Sequence, residues 1–220
     1  MILFSVLVNT SENTAETDLQ FRDILMEIFF HHICPRYIED ISINSAGQSV
    51  CGWTGVNCCG DDVIGVQYQG INWVGNFNIY ALPSTTTMIW ITSSSQSFPM
   101  ITRRFPRKLT SISLTVNEIF GTLDLTTLPS QMTDGYFNNN RLVGPLNFIR
   151  LPRTLQRLNV VQNNIQQKRV WYDSLPKNLR TILLANLEDT NVFGEVRAID
   201  PRQMSNAKKI FRGVTYDKIH

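Results

Sequence analysis

The sequence predicts an α/β solenoid of about six repeats of 23–25 residues, with a parallel sheet on its concave side and a helical, Cys-containing cap before it. A recurring proline is the first sign. Pro83, Pro106, Pro129 and Pro152 stand 23 residues apart, Pro176 follows after 24 and Pro201 after 25. Leu82, Leu128, Leu151 and Leu175 precede four of them, with Phe105 and Asp200 before the other two. Counting back 23 from Pro83 reaches Gly60, which opens an earlier repeat without its proline. A fixed period of this length marks stacked units that cannot bury their apolar faces alone. The second sign is a set of apolar columns in phase with the prolines. The third is that all 4 cysteines fall before the first repeat.

Taken in order, Met1–Val8 is apolar but short, with no preceding Lys or Arg. It reads either as a tail, placed at 1–14, or as a signal remnant; the sequon Asn9-Thr-Ser11 follows it. A cap is expected over 15–62. It begins with an amphipathic helix from about Ala15 to His31, in which Leu19, Phe21, Ile24, Leu25, Ile28 and Phe29 recur at spacings of three and four. Thr14 or Thr17 is placed to cap it and Pro35 closes the segment. Cys34, Cys51, Cys58 and Cys59 lie within this cap, an even number in one cluster. They read as two disulfides or, in a reducing compartment, as four thiols.

The solenoid is expected over 63–201. Three places after each start come Val63, Thr86, Leu109, Met132, Leu155 and Leu179. Six places after come Val66, Ile89, Ile112, Gly135, Leu158 and Ile182, and eight places after come Tyr68, Ile91, Leu114, Phe137, Val160 and Leu184. Only Thr86 and Gly135 break the apolar pattern, and Tyr136 and Phe137 stand beside the gap at Gly135. Asn117, Asn140 and Asn163 hold the eleventh place in the middle repeats; Ile71, Ser94 and Leu187 depart from it in the outer ones. Gly75, Gly121 and Gly144 recur fifteen places after the start, where the chain must turn tightly. The last repeat carries about three extra residues around Glu188–Asn191. Residues 202–220 keep no phase and read as a C-terminal cap or tail.

The unit from Pro106 to Leu128 contains Leu109, Ile112, Leu114 and Asn117 in the order LxxLxLxxN, and so resembles a leucine-rich repeat. The resemblance implies that the Asn residues bond the adjoining turn and stack as a ladder. Cys51-Gly-Trp53-Thr-Gly55-Val56-Asn-Cys58 resembles the N-terminal cap of plant-type extracellular leucine-rich-repeat proteins. That likeness implies a Cys51–Cys58 bond, with Cys34–Cys59 as the remaining pair. The ending Leu123-Asp-Leu-Thr-Thr-Leu-Pro129, echoed at Leu146–Pro152, is similar to repeats of trypanosomatid and related protist surface proteins.

Composition narrows the function classes. Hydrophobic residues form 43% of the 220, and no apolar run reaches the roughly 20 residues of a membrane helix. The net charge of +2 divides unevenly: residues 1–62 carry nine acidic and two basic side chains, and 63–220 carry nine acidic and eighteen basic. Val63–Thr102 has no charged side chain. There is no phosphate loop, dinucleotide fingerprint, nucleophile elbow or zincin helix. His31, His32, Cys34 and Cys58 or Cys59 match no common zinc spacing, so no metal, cofactor or catalytic residue is expected.

Two surfaces are candidates. Strands about 4.8 Å apart make a concave face roughly 25 Å across, to which the fifth and seventh places of each repeat project. There Met88, Trp90 and Tyr136 are candidate anchors, with Asp134, Arg157 and Asn159 as polar contacts. The other is basic: Arg103, Arg104, Arg107, Lys108, Arg150, Arg153 and Lys177 fall just before the strands and line one edge. That edge is either simply solvated or a docking strip for an acidic protein, polyanion or anionic membrane surface. Sequence-specific nucleic-acid reading has no motif here. The expected function is non-enzymatic protein recognition at the cell surface or outside the cell; the alternative is an intracellular scaffold subunit docking through the basic edge.

Overall fold

The computed structural model describes residues 2–42, 49–186, 188 and 190–220, with side chains described from 16 onward except at 203–205. Helices α1 (Ile2–Phe30) and α2 (Pro35–Ser42) lead into the sheet. The strands are β1 (Val56–Cys59), β2 (Asp62–Gln69), β3 (Met88–Thr92), β4 (Ser111–Ser113), β5 (Phe120–Thr122), β6 (Asp134–Tyr136), β7 (Arg141–Val143), β8 (Arg157–Asn159), β9 (Gln166–Tyr172), β10 (Thr181–Leu183), β11 (Val192–Ala198) and β12 (Phe211–Arg212). The main sheet runs β1-β2-β3-β4-β6-β8-β10-β12. All its pairs are parallel except β1–β2. The register joins equivalent places of successive repeats: Val66 to Ile89, Ile89 to Ile112, Ile112 to Gly135. Two small parallel sheets, β5–β7 and β9–β11, lie on the far side of the coil.

The apolar columns form the core. All eighteen inward positions, Thr86 and Gly135 among them, are buried. The Gly135 gap is filled from its own strand: a Cβ there would lie 2.9 Å from the Phe137 ring and 3.3 Å from Leu158. Tyr136 points the other way, as strand alternation requires.

The asparagine ladder is present. Asn117 Nδ2 donates to the carbonyls of Ile91 and Leu114 at 2.8 and 3.0 Å. Asn140 donates to Leu114 and Phe137, and Asn163 to Phe137 and Val160. Each thereby satisfies carbonyls in its own turn and the preceding one. Two further rungs sit off the counted place. Gln96 accepts from the Phe77 N–H at 2.8 Å and donates to the Ser94 carbonyl, standing in where Ser94 occupies the eleventh place. Asn191, past the insertion, donates to Val160 and Leu184 and accepts from the Ile165 N–H. Leu187 lies outside the described residues. The ladder turn places Ser93, Val116, Asn139 and Gln162 at positive φ, each ten places after its start. Gly75 and Gly121 also adopt positive φ; Gly144 does not, and a cis bond to Pro145 follows it.

Both ends are closed. The α1 helix begins well before Ala15, so the sequon at Asn9 falls within it, where only backbone is described. Its inward face is Arg22, Met26, Phe29 and Phe30, while Phe21, Ile24 and Ile28 are exposed. The helix forms as the spacing predicts, but its buried stripe is displaced from the expected one. The reason lies at the helix's C-terminal end, where Phe29 stacks on Phe77 at 5.0 Å and Phe30 meets Trp53 at 5.3 Å. Gly75 approaches so closely that a Cβ would lie 1.8 Å from the His32 carbonyl. Buried Arg22 donates to the Asp61 carbonyl at 2.6 Å and to Ser49 Oγ at 2.8 Å, tying the helix to the β1–β2 turn.

Cys51 and Cys58 are bonded. Cys34 and Cys59 are free, which corrects the expected second pair. Successive strand residues face opposite ways; Cys58 turns toward Cys51, so Cys59 turns to solvent. At the other end, α3 (Ala207–Ile210) leads into β12, whose Phe211 packs on Phe148 and Tyr172. The chain then returns so that the His220 N–H donates to the Val196 carbonyl. No helix among the described residues is long and apolar enough to cross a membrane.

Candidate binding surfaces

The concave face is built by strand alternation. With the sixth and eighth places buried, the fifth and seventh must project from the sheet. Four expected residues converge there. Trp90, Asp134, Tyr136 and Arg157 line a shallow depression of about 490 Å³, completed by Gln69, Thr92, Ser111 and Ser113. Trp90 is 40% exposed, and its Nε1 reaches Ser111 Oγ at 3.4 Å. Met88 and Asn159 lie outside the depression. Met88 packs over Gly65, and Asn159 Oδ1 accepts from the Val161 N–H at 3.1 Å.

Asp134 is not a free surface acid. It is 9% exposed, receives the Arg157 Nε–H, and accepts from Thr133 Oγ1 at 2.8 Å. Burial pushes its carboxyl up, but the Arg157 and Thr133 bonds outweigh that and hold it below the usual carboxylate range. Burial, and then the Asp134 charge, push the Tyr136 phenol up. The pair is thus self-neutralising, and Asp134 orients the Arg157 guanidinium through its Nε–H. The floor carries little net charge: a ring, a phenol, three hydroxyls and one amide around one ion pair.

The basic residues separate into two groups. Arg103 and Arg104 end a 3-10 turn, with the Arg104 guanidinium 5.1 Å from the Tyr80 ring centroid, and Arg107 and Lys108 are exposed beyond it. The intervening repeat has Ser130 and Gln131 at the matching places, which interrupts the strip. Arg150, Arg153 and Lys177 then line further depressions, together with Arg180, Arg202 and Lys209, which sequence reading missed. Arg180 was discoverable, being four places after Pro176. Lys209 was not, because the cap keeps no phase. Among the described residues, no group of three His, Cys, Asp or Glu side chains is placed to hold a metal ion.

No family model and no curated protein matches this chain. A solved structure described as a crystal structure of a pollen receptor kinase 3 does match it, with a TM-score of 0.55 and 21% identity. The match covers 76% of this chain and 81% of the other. The fold is a leucine-rich-repeat solenoid. At that identity the likeness is one of fold, and function has to be argued from the surface.

Proposed function

We propose that the chain is a non-enzymatic recognition module that binds a protein partner on its concave face, at the cell surface or outside the cell. The depression holding Trp90, Tyr136 and the Asp134–Arg157 pair carries this reading. Partly exposed aromatic rings beside an oriented arginine are the residue types that dominate interface energetics. The two rings have rigid support, since Trp90 and Tyr136 each stand between buried neighbours on their strands. The Cys51–Cys58 bond supports placement in an oxidising compartment. The protist-type Leu-Asp-Leu ending agrees with a surface location. The solved neighbour is itself named a receptor kinase, which is compatible with a recognition role here.

The test is capture of extracellular proteins by the immobilised chain, comparing the wild type with Trp90→Ala and Tyr136→Ala. Each substitution is expected to weaken capture of the specific partner by about tenfold or more, the loss typical of an interface anchor. Phe120→Ala, on the small far-side sheet, is expected to leave it unchanged. Equal capture by all three variants would remove the concave face from the account.

A further inference from the structure

Along the edge that carries the Leu-Pro pairs, three depressions of about 420, 470 and 640 Å³ adjoin in the C-terminal half. All three share Lys177. Two share Arg180, two share Leu175 and Pro176, and two share Asn178, so they form one continuous groove. Six exposed cations line it: Arg150, Arg153, Lys177, Arg180, Arg202 and Lys209. No carboxylate among the described residues does. Among the described residues only one of the six has an ion pair, Arg202 with Asp200 at 2.7 Å. Arg153 and Lys177 each follow a repeat proline, so the coil sets them on successive turns about 5 Å apart. Like charges crowded this way repel one another and are relieved by a bound anion.

The lining selects among anions. It contains no aromatic ring, which leaves nucleic-acid bases without a stacking platform. Among the described residues it also contains no exposed large apolar side chain, the usual centre of a protein interface and the usual wedge into a bilayer. A groove admits a narrow chain more readily than a flat membrane. Four of the cations are guanidiniums, whose paired N–H groups match two oxygens of one tetrahedral anion. Between them stand Gln156, Ser174, Asn178 and Asn206, which suit hydroxyl groups.

We infer that this groove binds a linear sulfated polysaccharide. The groove shares no lining residue with the concave depression, so the inference stands apart from the protein-recognition reading.

The experiment is calorimetric titration of the full chain with a heparin-derived octasaccharide, repeated across a range of salt concentration. Saturable binding at about 150 mM salt is expected, weakening steeply as salt rises. The triple variant Arg153→Glu, Lys177→Glu, Arg180→Glu should bind at least about tenfold more weakly. The matched control Arg103→Glu, Arg104→Glu, Arg107→Glu changes net charge equally and should lose less than about threefold. Should the triple variant melt early, Lys177→Gln with Arg180→Gln replaces it, with the same ordering expected. Three results would each overturn the inference: no saturable binding, equal loss in groove and control variants, or tighter binding to single-stranded DNA of matched charge or to phosphatidylserine vesicles.

Discussion

Thr86 shows how closely one side chain can follow the logic of its column. It is fully buried, and among the described residues its hydroxyl has no hydrogen-bond partner. Thr86→Val keeps the branched shape and removes the stranded oxygen, so denaturant unfolding should show a gain of about 1 kcal/mol. Asn140 is the opposite case. It serves the carbonyls of Leu114 and Phe137 and the N–H of Ile119, all buried. Asn140→Ala should cost about 3 kcal/mol, because three backbone groups lose their partner together. Asp134 links stability to pH. Its folded pKa lies below the usual value, so its contribution is complete above about pH 4 and disappears as pH falls through the folded pKa. Urea midpoints measured from pH 7 down to 2 should show that loss in the wild type, and Asp134→Asn should flatten it.

At the scale of elements, the cap helix separates two readings of one pattern. A spacing of three and four identifies an amphipathic helix, but Leu19, Phe21, Ile24, Leu25, Ile28 and Phe29 do not by themselves reveal which stripe meets the core. Contacts with Phe77 and Trp53, far along the chain, select Met26, Phe29 and Phe30. Phe29→Ala should therefore cost about 3–5 kcal/mol, while Phe21→Ala and Ile24→Ala should stay near zero in the same unfolding measurement. The repeats were far more legible, because each column is checked by its neighbours in the stack. A single Thr or Gly did not hide the core. The ladder was legible only where its spacing held. Gln96 and Asn191 do the same work two places late and beyond an insertion, and a fixed count misses both. The cysteine pairing was half legible: the local Cys51–Cys58 bond follows from a short motif, whereas the state of Cys34 and Cys59 depends on how the strand is turned.

For the whole molecule, the coil converts a linear repeat into two distinct surfaces. The concave depression is nearly neutral, with two aromatic groups; the Leu-Pro edge carries a cationic groove in its C-terminal half. Trp90, Tyr136, Asp134 and Arg157 could be placed on one face by counting alone. Their convergence could not, since it depends on side chains reaching across strands: Arg157 to Asp134, and Trp90 to Ser111. The groove was less legible still, because half its cations lie outside the positions compared repeat by repeat. The central claim is that the concave depression is where a partner is recognised. The most direct measurement is photo-crosslinking in the native source, with a photoreactive phenylalanine analogue in place of Ser113 in the depression or of Thr122 on the far-side sheet. The account predicts a discrete protein adduct from position 113 that disappears when Trp90→Ala is added, and no such adduct from position 122. Adducts from position 122 alone, or adducts at 113 indifferent to Trp90→Ala, would contradict it.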